Sequence, residues 1–139
     1  MAKKFLKQYE ILIIKAKDDL TSAKYLLDGF HNHSLELRLD IIFFHFQQSA
    51  EKLIKAILDL SNVKFPHTHD LEELLKILSQ ENIKTLDNIT LLVPLTTFAV
   101  EGRYAIIHDD IEDTDKYIII LEELLTFTEK LVAKKSMNK

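Results

Sequence analysis

The chain has 139 residues, a formal net charge of -4, no cysteine, and only two glycines and two prolines. That length can bury a sizeable core without staples, and the lack of cysteine excludes disulfides, thiolate metal sites and a cysteine nucleophile, as in a reducing compartment. The acidic balance argues against a general nucleic-acid coat, whose affinity rests on clustered Lys and Arg, but leaves room for a small basic site.

So few turn formers among so much Leu, Ile, Lys and Glu predict an all-α fold. The first helix is expected over 4–28, where Leu6, Tyr9, Ile13, Ala16, Leu20, Ala23 and Leu27 recur in steps of three and four, the seam of a bundle helix. Gly29 is placed to end it, and His31, Asn32, His33 and Ser34 make a polar turn. The central helix carries IIFFHFQQSAEKLIKAILDL over 41–60. At about 100° per residue, Leu39, Ile42, Phe43, Phe46, Ala50, Leu53, Ile54, Ile57 and Leu60 share one face, opposite Lys52, Lys55 and Asp59. Leu37, Ile41 and Phe44 lie on the other side of its first half, which therefore calls for a second partner. Gln47 sits inside the apolar stripe and Gln48 beside Phe44. Buried amides need hydrogen-bond partners, so this pair is read as a packing device or as part of a contact surface.

The stretch from Ser61 to His69, with Pro66, reads as a loop. Asp70 and Glu73 have the spacing of a reciprocal capping box for a short third helix with Leu71, Leu74, Leu75 and Leu78 inward, ending near Gln80 or Glu81. A fourth helix is expected over 86–102, with Ile89, Val93 and Val100 on one side, Leu92 and Ala99 adjoining, and a kink or division at Pro94. A fifth begins near Asp113 to Asp115 and runs to about Val132 on a stripe of Ile120, Leu124, Phe127 and Leu131, widened by Leu121, Leu125 and Val132. The tail from Lys134 to Lys139 is expected to fray. These elements make one domain, residues 1–139: an antiparallel up-and-down helical bundle of four long helices plus one short helix. No apolar run nears the ~20 residues that span a bilayer, and no signal-peptide core follows MAKKFLKQYE, so a soluble, cytoplasmic protein with no membrane partner is expected.

Chemistry concentrates in EGRYAIIHDD, residues 101–110. Gly102 lets backbone or ligand approach closely before Arg103, and His108 follows beside Asp109 and Asp110. A permanently charged guanidinium that grips phosphate and an imidazole that titrates near neutrality are the minimum kit for metal-free RNA cleavage. His108 would move protons at the ribose 2′-hydroxyl and the leaving oxygen, and Arg103 would stabilise charge on the phosphate. The plainer reading makes Arg103 a bridge to carboxylates such as Glu101 and His108 a surface loop residue. The pairs His31 with His33 and His67 with His69 have no HExxH or cysteine set beside them and read as polar loop residues, with no metal and no cofactor expected. His45 falls on the polar flank of the central helix, facing solvent or a subunit. The pairs Asp18 with Asp19, Glu72 with Glu73 and Glu122 with Glu123 read as solvated faces.

Four stretches together resemble a HEPN domain (higher eukaryotes and prokaryotes nucleotide-binding): AKDDLTSAKYLL, FFHFQQSAEKLIKAIL, FPHTHDLEELL and GRY. They cover most of the chain from Lys15 to Val132 in the family's order. The resemblance implies an up-and-down bundle, a homodimer, and in many bacterial members a minimal nucleotidyltransferase encoded alongside as antitoxin. Its toxic members are metal-independent ribonucleases whose R-x4-6-H residues from two subunits meet in a cleft, a pattern matched here by Arg103 and His108, with Asp109 as an orienter of the imidazole. Those members carry a small polar residue after the arginine and a tyrosine two positions past the histidine, the target of AMP transfer; this chain has Tyr104 and Asp110 there. A second branch ends its fourth helix in an RYP-like motif, which GRY also resembles, and is regarded as binding a nucleotide or a partner without catalysis.

Overall fold

The computed structural model describes residues 5–31, 39–99 and 112–137. In chain order these form α1 (Gln8–His31), α2 (Leu39–Leu60), α3 (Leu71–Gln80), a 3₁₀ run (Ile89–Phe98) and α4 (Glu112–Met137). No strand occurs among the described residues, and the fold is the all-α bundle that composition predicts. None of the described helices is long and apolar enough to cross a membrane.

The bundle is assembled on α2, which meets every other element and α1 most extensively. All nine residues of the stripe read from its periodicity are buried, from Leu39 to Leu60. The seam of α1 is equally clear, with Tyr9, Ile13, Ala16, Leu20, Ala23 and Leu27 buried. Its first expected member, Leu6, instead lies ahead of the helix and is exposed. The Ser49 hydroxyl donates to the Ala16 carbonyl at 3.0 Å, a contact possible only where two helices approach closely, and Ala16 and Ala23 add almost no side chain to hold them apart.

The directions of the elements follow from their contacts. Tyr9 packs with Ala56 and Leu60, while Lys24 pairs with Glu122 at 3.1 Å, so α1 is antiparallel to both α2 and α4. Tyr117 lies against Phe43 and Lys135 donates to the Leu60 carbonyl at 3.2 Å, so α2 and α4 run parallel. The 3₁₀ run supplies the return leg between them: Asn88 reaches Glu123, and Phe98 stacks on Phe43.

The end of α1 departs from expectation, whereas α2 and α3 end where expected, at Leu60 and Gln80. Gly29 does not stop α1, which continues to His31; glycine permits a left-handed turn but does not compel one. The residues that do take that turn are Asn62, with φ 59°, and Asn82, with φ 56°. After α2, the Val63 and Asn62 amides donate to Leu58 and Asp59 carbonyls at 2.9 and 3.0 Å; after α3, those of Ile83 and Asn82 donate to Leu78 and Ser79 at 2.9 and 3.1 Å. Both are Schellman closures with asparagine in the glycine position, each followed by an apolar residue that folds back on the core.

At the start of α3, Asp70 caps as expected, its side chain accepting from the Glu72 amide at 3.0 Å. Glu73 does not complete the reciprocal box: Thr68 donates to it at 2.9 Å, and the Asp70 amide donates to Thr68 at 3.1 Å. Thr68 thus stands between the two partners. Replacing Asp70 by Ala should cost about 1 kcal/mol of unfolding free energy in urea titrations. A loss under roughly 0.3 kcal/mol would mean that the Thr68 link suffices for the cap.

The fourth expected helix is a ten-residue 3₁₀ run containing Pro94. Its buried residues are Ile89, Leu92 and Leu95, every third position, with Phe98 continuing the row. A 3₁₀ helix eclipses residues three apart, so this pattern replaces the predicted Ile89 and Val93 face; Val93 is only half-buried. Pro94 sits on the exposed side, where its missing N–H leaves one main-chain bond unmade. Val100 and Leu37 lie outside the described residues.

At the other terminus, α4 runs past the expected end at Val132 to Met137; of the tail expected to fray, Asn138 and Lys139 lie outside the described residues. Lys135 explains part of this: its ammonium bonds the last turn of α2 and sits 5.6 Å over the Tyr9 ring, tying three helices together.

Candidate functional site

Gly102, Arg103, Tyr104, His108 and Asp109 lie outside the described residues, as does the turn at Asn32, His33 and Ser34. What is described is the footing from which their segment leaves and to which it returns. Phe98 stacks on Phe43 with ring centres 5.1 Å apart and planes 24° from parallel. Tyr117 meets the same ring edge-on at 5.6 Å. Phe46 completes the cluster, edge-on to Phe43 at 5.6 Å. The chain on either side of 100–111 is therefore seated on the first turns of α2, with the end of α1 at the same end of the bundle. Phe44, on the neighbouring side, is half-buried and edge-on to His45.

One turn further along α2, the anomalous Gln47 resolves into a buried network. Its amide nitrogen donates to Glu51 at 3.0 Å and to the His69 carbonyl at 3.1 Å, and its oxygen accepts from Gln48 at 2.6 Å. Glu51, only 5% exposed, also faces His69 Nδ1 at 2.9 Å and Lys55 Nζ at 3.0 Å. Burial alone raises the Glu51 pKa, but hydrogen bonds from Gln47, His69 and Lys55 outweigh it and hold the carboxyl below its ordinary value. A carboxylate can only accept, so Nδ1 of His69 carries the hydrogen and Nε2 is left to the exterior. His69, read from the sequence as a polar loop residue, thus ties the loop after α2 to the helix core. The Leu71 amide, donating to Thr96 at 3.1 Å, ties the same corner to the 3₁₀ run.

A second group of the same design joins α1 to α2. Asp19 faces His45 Nδ1 at 3.1 Å and also accepts from Lys52. Burial works against ionisation here too, and the bonds from His45 and Lys52 prevail, lowering the Asp19 pKa. Two expectations are refined accordingly. His45, partly exposed, faces a carboxylate of α1, and Asp19 is half-buried between α1 and α2 while Asp18 stays on the outside. The glutamate pairs stay exposed as read, with Glu122 paired to Lys24.

Sequence reading missed Glu51 as a buried acid and Asp19 as a half-buried one. The available signal was Gln47, since Glu51 lies one turn below it on the same face; Asp19 gave none, because its partners are 26 and 33 residues away. No three His, Cys, Asp or Glu among the described residues are arranged to hold a metal ion.

Comparison with known proteins adds one finding: the family model for the HEPN domain matches residues 9–131. No curated protein and no solved structure matches the chain.

Proposed function

The chain belongs to the HEPN domain family, and from that footing we propose that it is a toxin-like, metal-independent ribonuclease of a HEPN and minimal-nucleotidyltransferase toxin–antitoxin pair. The observation that carries the reading is the R-x4-H pair, Arg103 and His108, falling inside the span matched by the family. Supporting it is the seating of both flanks of that segment on the Phe43 cluster.

The reaction is in-line transesterification. An imidazole takes the proton of the ribose 2′-hydroxyl, the oxygen attacks phosphorus, and the bond to the 5′-oxygen breaks as that oxygen receives a proton. The products are a 2′,3′-cyclic phosphate and a 5′-hydroxyl. His108 acts as the acid or base, Arg103 binds the phosphate and its growing charge, Asp109 orients the imidazole, and Gly102 lets the chain approach the RNA. A homodimer brings two such pairs into one cleft in the cytoplasm, with Phe44 and the end of the fourth element at the interface.

A second reading is favoured by Tyr104 and Asp110, which stand where toxin members carry a small polar residue and a tyrosine, and by GRY. Under it the same residues bind a nucleotide or a nucleotidyltransferase partner without cleaving RNA.

The test is cleavage of a defined RNA by the purified protein in EDTA, beside His108→Ala and Arg103→Ala proteins. We expect cyclic phosphate ends from the unaltered protein and a loss of about a hundredfold or more in each variant. No cleavage, or equal cleavage by all three, overturns the ribonuclease reading in favour of the binding module.

A further inference from the structure

At the end of the bundle away from the Phe43 cluster, the start of α1 and the end of α4 enclose a hollow of about 320 Å³ lined by Ile13, Ile14, Val132, Ala133, Glu10 and Glu129. We propose that it is a docking site for an amphipathic helix of another protein, one whose apolar face carries a lysine or arginine.

Apolar character comes from the four aliphatic residues, and it extends outward. Ile14 is 48% exposed and Ile11 42%, and positions three apart on a helix adjoin. A single exposed isoleucine is ordinary, but two that adjoin beside an apolar-lined hollow form the kind of cluster that marks a contact surface. The hollow lies in a seam between two antiparallel helices, the shape into which a third helix lays a ridge of side chains.

Charge selects the occupant. Both ionisable groups in the lining are carboxylates. Glu129 is engaged by Lys17 at 2.8 Å. Glu10 accepts from the Lys7 main-chain amide at 3.2 Å, and no cationic side chain among the described residues pairs with it. A purely apolar partner would strip water from Glu10 and return nothing, which is costly; a partner cation would supply the missing charge. A second copy docked face to face would bring a second set of the same carboxylates into one interface, which disfavours self-pairing here.

The experiment titrates the full chain against a fluorescent helical peptide of leucine and lysine in amphipathic spacing, and against its leucine and glutamate counterpart, by anisotropy at physiological salt. Saturable binding of the lysine peptide is expected, weakened about tenfold by Ile14→Asp and about fivefold by Glu10→Gln. Ile119→Asp, an exposed isoleucine at the other end of α4, should leave it unchanged. Helical circular dichroism verifies that each variant is folded, and the milder Glu10→Gln keeps the test alive should Ile14→Asp unfold. Equal binding of the glutamate peptide, or affinity indifferent to Glu10→Gln, overturns the proposal. So does a doubled mass in sedimentation that Ile14→Asp abolishes, since the occupant would then be a second copy. RNA cleavage is read separately, so failure here leaves the ribonuclease reading standing, and the reverse.

Discussion

Phe46→Ala should remove about 3–5 kcal/mol of stability, enough to leave much of the chain unfolded at 37 °C. The ring has no exposed surface and is held on two sides, edge-on to Phe43 at 5.6 Å and tilted against Tyr117 at 6.0 Å. Its removal takes away the transfer free energy of a whole aromatic side chain and leaves a cavity that three helical elements would have to close. They cannot do so independently, because Phe43 is also the seat of Phe98 and Tyr117, and drawing one ring inward unstacks another. Phe46→Leu, which retains most of the volume, should cost less than half as much. Urea unfolding followed by helical circular dichroism measures both. A loss below about 1 kcal/mol for the alanine protein would show that α2 and α4 can collapse onto the gap, against the close packing argued for this corner.

The apolar skeleton was legible because period alone determines it. A residue every three or four positions can face only one way on a helix, so the stripes of α1, α2 and α3 were readable as buried faces: Leu71, Leu74 and Leu78 are buried with their neighbours in one cluster. The fourth element broke the reading because Ile89, Leu92, Leu95 and Phe98 repeat at three, while Val93 and Val100 suggested the α-helical alternative. Pro94 pointed to trouble without saying which form it would take. The ends of α2 and α3 were placed where they fall, at Leu60 and Gln80, without the reason for them, which the parallel strings Leu60-Ser61-Asn62-Val63 and Gln80-Glu81-Asn82-Ile83 carried; only at α1 was a glycine, Gly29, given a stop that the helix does not make. Polar pairing across the bundle was the least legible layer. Nothing local in the sequence says that Asp19 will find Lys52, and the decision rests on how α1 and α2 register against each other. The Arg103 and His108 pair came from motif spacing and family likeness, which identify chemistry without geometry.

Glu51→Leu should cost about 3–5 kcal/mol at neutral pH, nearly as much as emptying the aromatic core, although it adds apolar surface. The reason lies in what is left behind. Lys55, whose side chain is 12% exposed, would keep a charge with no counterion and only the Phe65 face, 5.7 Å away, for compensation. Gln47, fully buried, would lose one of its acceptors, and His69 its anchor. The double variant Glu51→Leu with Lys55→Met should recover part of the loss, because no unpaired charge then remains in the helix interior. Acid provides an independent check. The folded carboxyls of Glu51 and Asp19 both lie below their ordinary pKa. Each therefore contributes stability that is fully present above its unfolded value, about 4.3 for Glu and about 3.9 for Asp, and is lost as pH falls through the lower folded value. Unfolding free energy should decline steeply from about pH 4.5 downward, and Glu51→Gln should flatten that decline, since one fewer proton is taken up on unfolding. A Glu51→Gln protein whose acid limb ran parallel to that of the unaltered chain would mean that Glu51 binds its proton alike in the folded and unfolded chain, and that the bonds from Gln47, His69 and Lys55 do no more than offset its burial.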